Sequence, residues 1–159
     1  MLKNPSHLFA LDALMEVYPD ALVIQTHRSP RTAMASMCSL AAHATAGWSE
    51  VFTGTVIGRD QLELWGRGLD RFHAERAKRD PARFFDVDYD DFVRDPLGRV
   101  EAAYAHFGLP FSDAARTAMT RLQEESRSGA GRPAHRYTLS DFGLTAEQID
   151  EVFPDSRDI

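Results

Sequence analysis

The segment that most limits the fold is Ala21-Leu-Val-Ile-Gln-Thr26, a short apolar, β-branched run bounded by Pro19-Asp20 and by the loop His27-Arg28-Ser29. Its length and composition predict a buried strand of the kind found inside parallel sheets. Ser29 stands where a helix is capped, and Pro30 where one opens, because proline at the first helical position gives up no hydrogen bond. From Arg31 to about Ala46 the apolar residues Met34, Met37, Cys38 and Ala41 recur at helical spacing. A strand that runs directly into a long helix is the unit of an α/β layer architecture.

The rest of the chain repeats that alternation. Asn4-Pro5 opens a helix with Leu8, Leu11, Met15 and Tyr18 on one face. Residues 47–58 read as irregular, and 59–79 as a long helix with Leu62, Trp65, Leu69 and Phe72 inward. Arg83-Phe-Phe-Asp-Val-Asp88 is the second strand, followed by Tyr89-Asp-Asp-Phe92. A helix opened by Asp95-Pro96 and closed by Gly108 directs Val100, Ala103, Tyr104 and Phe107 inward. Another covers 112 to about 126, a polar glycine-containing loop covers 128–133, and Thr145-Ala-Glu-Gln148 is a capping box before a last short helix. Residues 1–159 read as a single domain. Two strands do not make a self-sufficient sheet, so the fold reads as incomplete at its N-terminus, with further strands expected upstream of Met1.

Composition narrows the function classes. A chain of 159 residues with 43% hydrophobic and 26% charged residues can build a core, which excludes disordered and low-complexity classes. A net charge of −6 argues against non-specific nucleic-acid binding, which needs a basic surface. The same charge weighs against a helical module reading DNA through residues 144–153. A lone Cys38 rules out an internal disulfide or a cysteine-based zinc site, and reads as a small buried residue in a reducing, cytoplasmic setting. No apolar run is long enough to span a membrane, and the N-terminus does not have the pattern of a signal peptide.

Four groups of residues could carry chemistry. A strand feeding a helix N-terminus gathers backbone N–H groups and the positive end of the helix dipole. Arg28 adds a planar donor fork there, and Ser36, two turns along, a hydroxyl. The competing reading pairs Arg28 with a surface carboxylate and leaves Ser36 in solvent. Lys3 and His7, at the first helix, suit charge stabilisation and proton removal, or else form an ordinary chain end. Tyr89 follows the second strand, beyond whose carboxyl end ligands of α/β sheets bind, though packing alone would also place an aromatic there. Arg127, Arg132, His135, Arg136 and Tyr137 make the most basic loop of an acidic protein, or a solvated connection. No metal-ligand cluster is visible, and His7 and His27 read as base and anion-site residues rather than ligands.

Taken in order, these residues resemble the PAPS-dependent sulfotransferases, and among them a bacterial group. The resemblance is carried by Lys3-Asn-Pro-Ser-His7, Thr26-His-Arg-Ser-Pro30, Tyr89-Asp-Asp91, Asp95-Pro-Leu-Gly98 through Phe107-Gly-Leu-Pro110, and His135-Arg-Tyr137 with Phe142-Gly-Leu144. It implies a P-loop-NTPase-like parallel sheet with flanking helices. It also implies sulfuryl transfer from the co-substrate PAPS to a hydroxyl or amine of a small-molecule acceptor. His7 would be the base, and Lys3 would stabilise charge on the transferring group or the leaving phosphate. Arg28 and Ser36, eight residues apart as in the family's 3′-phosphate motif, would hold that phosphate, with Tyr89 on the adenine. Arg136 is a further candidate for the nucleotide, although its loop differs from the Arg-Lys-Gly run of the animal cytosolic enzymes. The family's 5′-phosphosulfate loop has no counterpart in this sequence. An alternative is therefore a catalytically inactive chain that binds nucleotide or completes a partner, and an open sheet edge predicts self-association.

Overall fold

The computed structural model describes residues 1–128 and 137–154. A 3-10 helix, Pro5–Ala10, runs into α1, Leu11–Val17. Strand β1, Val23–His27, leads to α2, Pro30–Thr45, and to α3, Gly54–Arg76. Strand β2, Phe84–Asp88, is followed by α4, Tyr89–Arg94, α5, Pro96–His106, and α6, Asp113–Ser128. A short 3-10 turn, Leu139–Phe142, precedes α7, Ala146–Val152. Strands and flanking helices make the expected α/β architecture, with β1 and β2 paired in a parallel sheet. Among the described residues no helix is long and apolar enough to cross a membrane.

By packing, the chain divides into two compact units. Among the described residues, the first contains 1–21, 27–81 and 137–154. Its core joins Met34 and Cys38 of α2, Ile57 and Leu69 of α3, and Phe142, Leu144, Ile149 and Phe153. The 144–153 segment, considered above as a DNA reader, thus spends Leu144, Ile149 and Phe153 on the core. The 3-10 turn and α7 are each fixed at their starts by a reciprocal cap. The Thr138 backbone N–H donates to Asp141 at 2.6 Å, and the Thr145 N–H donates to Gln148 at 2.9 Å. The second of these is the box expected from sequence. Gly58 lets α3 lie directly against the Phe142 carbonyl, where any Cβ would collide with backbone.

Among the described residues, the second unit comprises 22–26 and 82–128. Phe84, Val87 and Ala103 are buried in it. The Phe85 ring meets His106 and Phe107 at 5.3 and 6.3 Å, and Tyr104 meets Phe111 edge-on at 5.1 Å. Asp95 caps α5 through the Gly98 N–H at 3.0 Å, and Gly108 ends the segment in the left-handed region at φ 64°.

Three expectations are corrected. The first strand is not buried on both faces: Leu22 and Ile24 are 44% and 55% exposed, while Val23, Gln25 and His27 are half-buried. A two-stranded sheet covers a strand incompletely, so the pleat alternates between half-covered and open sides. The first helix is not α-helical from its start. Asn4 accepts from the Ser6 N–H and Pro5 follows, giving a 3-10 segment before α1, and Tyr18 ends exposed rather than inward. Finally, α3 begins at Gly54, so the irregular stretch is shorter than 47–58 and the helix ends at Arg76.

Candidate active site

Among the described residues, the first unit carries four of the candidates, Lys3, His7, Arg28 and Ser36. Lys3 is exposed just ahead of the 3-10 helix, and His7 is half-buried within it. The placement of His7 follows from local chemistry. Asn4 and Pro5 start the turn, the His7 N–H donates to the Asn4 carbonyl at 3.1 Å, and Leu8 and Phe9 seat the turn on α3. They rest against Gly68, where a Cβ would strike both side chains. The Phe9 ring also lies 5.3 Å from Trp65, whose indole N–H donates to buried Gln61 at 2.9 Å.

Arg28 is the first residue beyond β1 and is half-buried. Two residues later α2 opens at Pro30, and Ser36 lies half-buried in its second turn. The Ser29 carbonyl accepts from the Thr32 and Ala33 N–H groups at 3.0 and 2.9 Å, but its hydroxyl makes no capping bond. That is a departure from the expected cap. The first turn of α2 therefore presents its positive end without a side-chain oxygen from Ser29. Sequence reading did not find Arg31, the next charged residue. Its guanidinium forks onto Asp150 of α7, Nε to Oδ1 at 3.0 Å and Nη2 to Oδ2. The two are 119 positions apart in the chain, so nothing in local pattern could have signalled it. The hydrogen bonds and charge of Arg31 hold the Asp150 carboxyl below the usual aspartate range.

Tyr89 belongs to the second unit. It is the first residue of α4, directly after β2, with an exposed side chain. Asp88 caps this helix by accepting from the N–H groups of Asp90 and Asp91 at 2.8 and 3.1 Å. Asp91 in turn accepts from Arg94 at 2.8 Å. The Tyr-Asp-Asp segment is thus a capped helix start at a strand's carboxyl end, a reading in which Asp88 was missed. Arg136, with Arg132 and His135, lies outside the described residues.

Cys38 is fully buried, and burial pushes its thiol up to about 11, so it is a packing residue and not a nucleophile. An open depression of about 310 Å³ is lined by Thr55, Val56, Arg59, Leu62, Gly143, Leu144 and Gln148. None of Lys3, His7, Arg28 or Ser36 lines it.

A 3-10 segment that carries a histidine is thus followed by a strand, an Arg-bearing turn and a Pro-led helix. The profile of the sulfotransferase family matches residues 1–113, and the chain belongs to that family. Among its relatives, the omega-hydroxy-beta-dihydromenaquinone-9 sulfotransferase Stf3 of Mycobacterium tuberculosis is 33% identical over 114 residues. That match covers 69% of this chain and 28% of the relative. The crystal structure of sulfotransferase STF1 from Mycobacterium tuberculosis H37Rv is 58% identical and superposes with a TM-score of 0.83. The superposition covers 96% of this chain and 38% of that one. Sulfotransferase STF9 from Mycobacterium avium, 29% identical, gives the same TM-score over 96% of this chain and 39% of its own. The chain therefore spans well under half the length of these relatives.

Proposed function

We propose that this chain is the part of a PAPS-dependent sulfotransferase that binds the donor's 3′-phosphate and takes the acceptor's proton. The observation that carries this reading is the turn after β1. Arg28 stands at its start and Ser36 in the second turn of the helix it feeds, with no Ser29 hydroxyl bonded into the helix end. A guanidinium fork, a hydroxyl and a helix N-terminus are donor groups that suit a phosphate dianion. PAPS, when bound, supplies a sulfuryl group on a phosphate leaving group.

In this reading the residues act by position and charge, as in phosphoryl transfer. The imidazole of His7 accepts the proton of the acceptor O–H or N–H as that atom bonds to sulfur. The bond from sulfur to the 5′-phosphate oxygen breaks, and adenosine 3′,5′-bisphosphate leaves. Lys3 stabilises negative charge on the transferring group or the departing phosphate. Tyr89 faces the adenine, and Arg136 is a further nucleotide contact. On this reading residues 1–159 are a single sulfotransferase-like domain, the C-terminal portion of that fold. The acceptor is a small molecule, and the relative that acts on a dihydromenaquinone makes an apolar alcohol one class to assay. A single cysteine, Cys38, fits a reducing, cytoplasmic setting better than a disulfide-forming one.

The test is calorimetry with the chain as it stands. Adenosine 3′,5′-bisphosphate should bind more tightly than AMP by roughly 100-fold, the equivalent of about 3 kcal/mol for two charge-assisted contacts. Equal affinity in folded protein would refute the 3′-phosphate assignment. The open side of β1, with Leu22 and Ile24 exposed, supports self-association of the isolated chain. Size-exclusion chromatography with light scattering should show a dimer or larger species, and a monodisperse monomer would contradict it.

A further inference from the structure

The Arg31–Asp150 fork joins two parts of the chain that no sequence pattern connects. Arg31 is the second residue of α2, three positions after Arg28. Asp150 sits on α7, one residue from Ile149, which is completely buried in the core of the same unit. The helix is held from its start by the Thr145–Gln148 box, with reciprocal bonds at 2.9 and 3.3 Å. Asp150 is thus a carboxylate on a rigid mount, and Arg31 reaches it with two parallel N–H donors. Glu147, one turn earlier, adds a second negative charge to the field around Arg31. Both members of the pair are about half exposed, at 54% and 55%, so the contact contributes little to stability as such. Its consequence is geometric and electrostatic. A bidentate fork fixes the direction of a guanidinium as a single contact does not.

We propose that Asp150 is a positioning residue for the donor's 3′-phosphate: by holding the Arg31 guanidinium against α7 it stops a second, undirected cation from competing with Arg28. This rests on the reading of Arg28 and Ser36 as the 3′-phosphate ligands. An unpaired Arg31 beside that turn attracts any phosphate, whichever carbon of the ribose carries it. Selectivity for the 3′-phosphate then falls whether total affinity rises or drops. The quantity that reports the role is therefore the ratio of two affinities, which loss of stability alone leaves unchanged.

Calorimetry with adenosine 3′,5′-bisphosphate and with AMP is carried out on the wild type, Arg28→Ala, Asp150→Ala and Asp150→Glu. Asp150→Ala should cut the preference for the bisphosphate about fivefold, the scale of coupling through a packed network. Asp150→Glu, which keeps a carboxylate for Arg31, should hold the preference within about twofold of wild type on the same scale. If Asp150→Ala does not fold, Asp150→Asn carries the test, since it leaves a carbonyl oxygen for the Arg31 Nε–H but no charge. An unchanged preference in Asp150→Ala, in a chain whose preference is lost in Arg28→Ala, overturns the role of Asp150 alone. A wild type without preference, or an Arg28→Ala variant that keeps it, overturns the phosphate reading and the role of Asp150 with it.

Discussion

In a chimera where this chain replaces the matching 38% of the M. tuberculosis STF1 chain, His7→Ala lowers kcat for sulfuryl transfer by about a hundredfold or more. The chimera is practical because 96% of this chain superposes on that enzyme at 58% identity. The size of the effect follows from the role. A base that accepts the acceptor's proton in the transition state lowers the barrier only there, so its loss appears in kcat. The KM for the donor stays near its original value, because Arg28 and Ser36 are untouched. His7 is half-buried on a turn that Leu8 and Phe9 seat against Gly68, so its removal leaves the supporting packing in place. A kcat within about threefold of the parent chimera, well short of the loss expected of a general base, would place the base elsewhere.

The largest stability effect belongs to Ile149→Ala. Ile149 has no exposed surface and packs with Met34, Cys38, Ile57 and Leu69. Truncating a fully buried isoleucine costs about 2–5 kcal/mol, the transfer term plus the cavity left behind. Against a whole-domain stability of about 5–15 kcal/mol, that is a large fraction. For a chain of this size the melting temperature should fall by on the order of 5–15 °C. Differential scanning calorimetry measures it. A drop under about 2 °C, less than 1 kcal/mol would give, would mean that α7 does not close the core of the first unit.

Much of this was legible because local chemistry is written in local sequence. Asn4-Pro5, Pro30, Asp95-Pro96, Gly108 and the Thr145–Gln148 box each mark a helix boundary through one hydrogen bond or one dihedral preference, and those boundaries hold within a few residues. The order Lys3–His7, Arg28–Ser36, Tyr89 was enough to reveal the family, which the match over 1–113 shows. Illegible were the features that depend on what lies across space. Apolarity at Leu22 and Ile24 says that a strand prefers cover, not that cover is supplied, and both are exposed. Gly54 looked like part of a loop because glycine is a poor helix former, yet it begins α3. The Arg31–Asp150 fork has no local signature at all.

Recognition of the 3′-phosphate by the turn after β1 stands or falls with Arg28, and Arg28→Ala removes that side chain. The measurement is the ratio of dissociation constants for AMP and adenosine 3′,5′-bisphosphate, by calorimetry, in the wild type and in Arg28→Ala. The wild-type preference of roughly 100-fold should collapse to about threefold or less, because the charge-assisted contact to the 3′-phosphate is gone while the contacts that both nucleotides share persist. A variant that stays folded and keeps the full preference would contradict it.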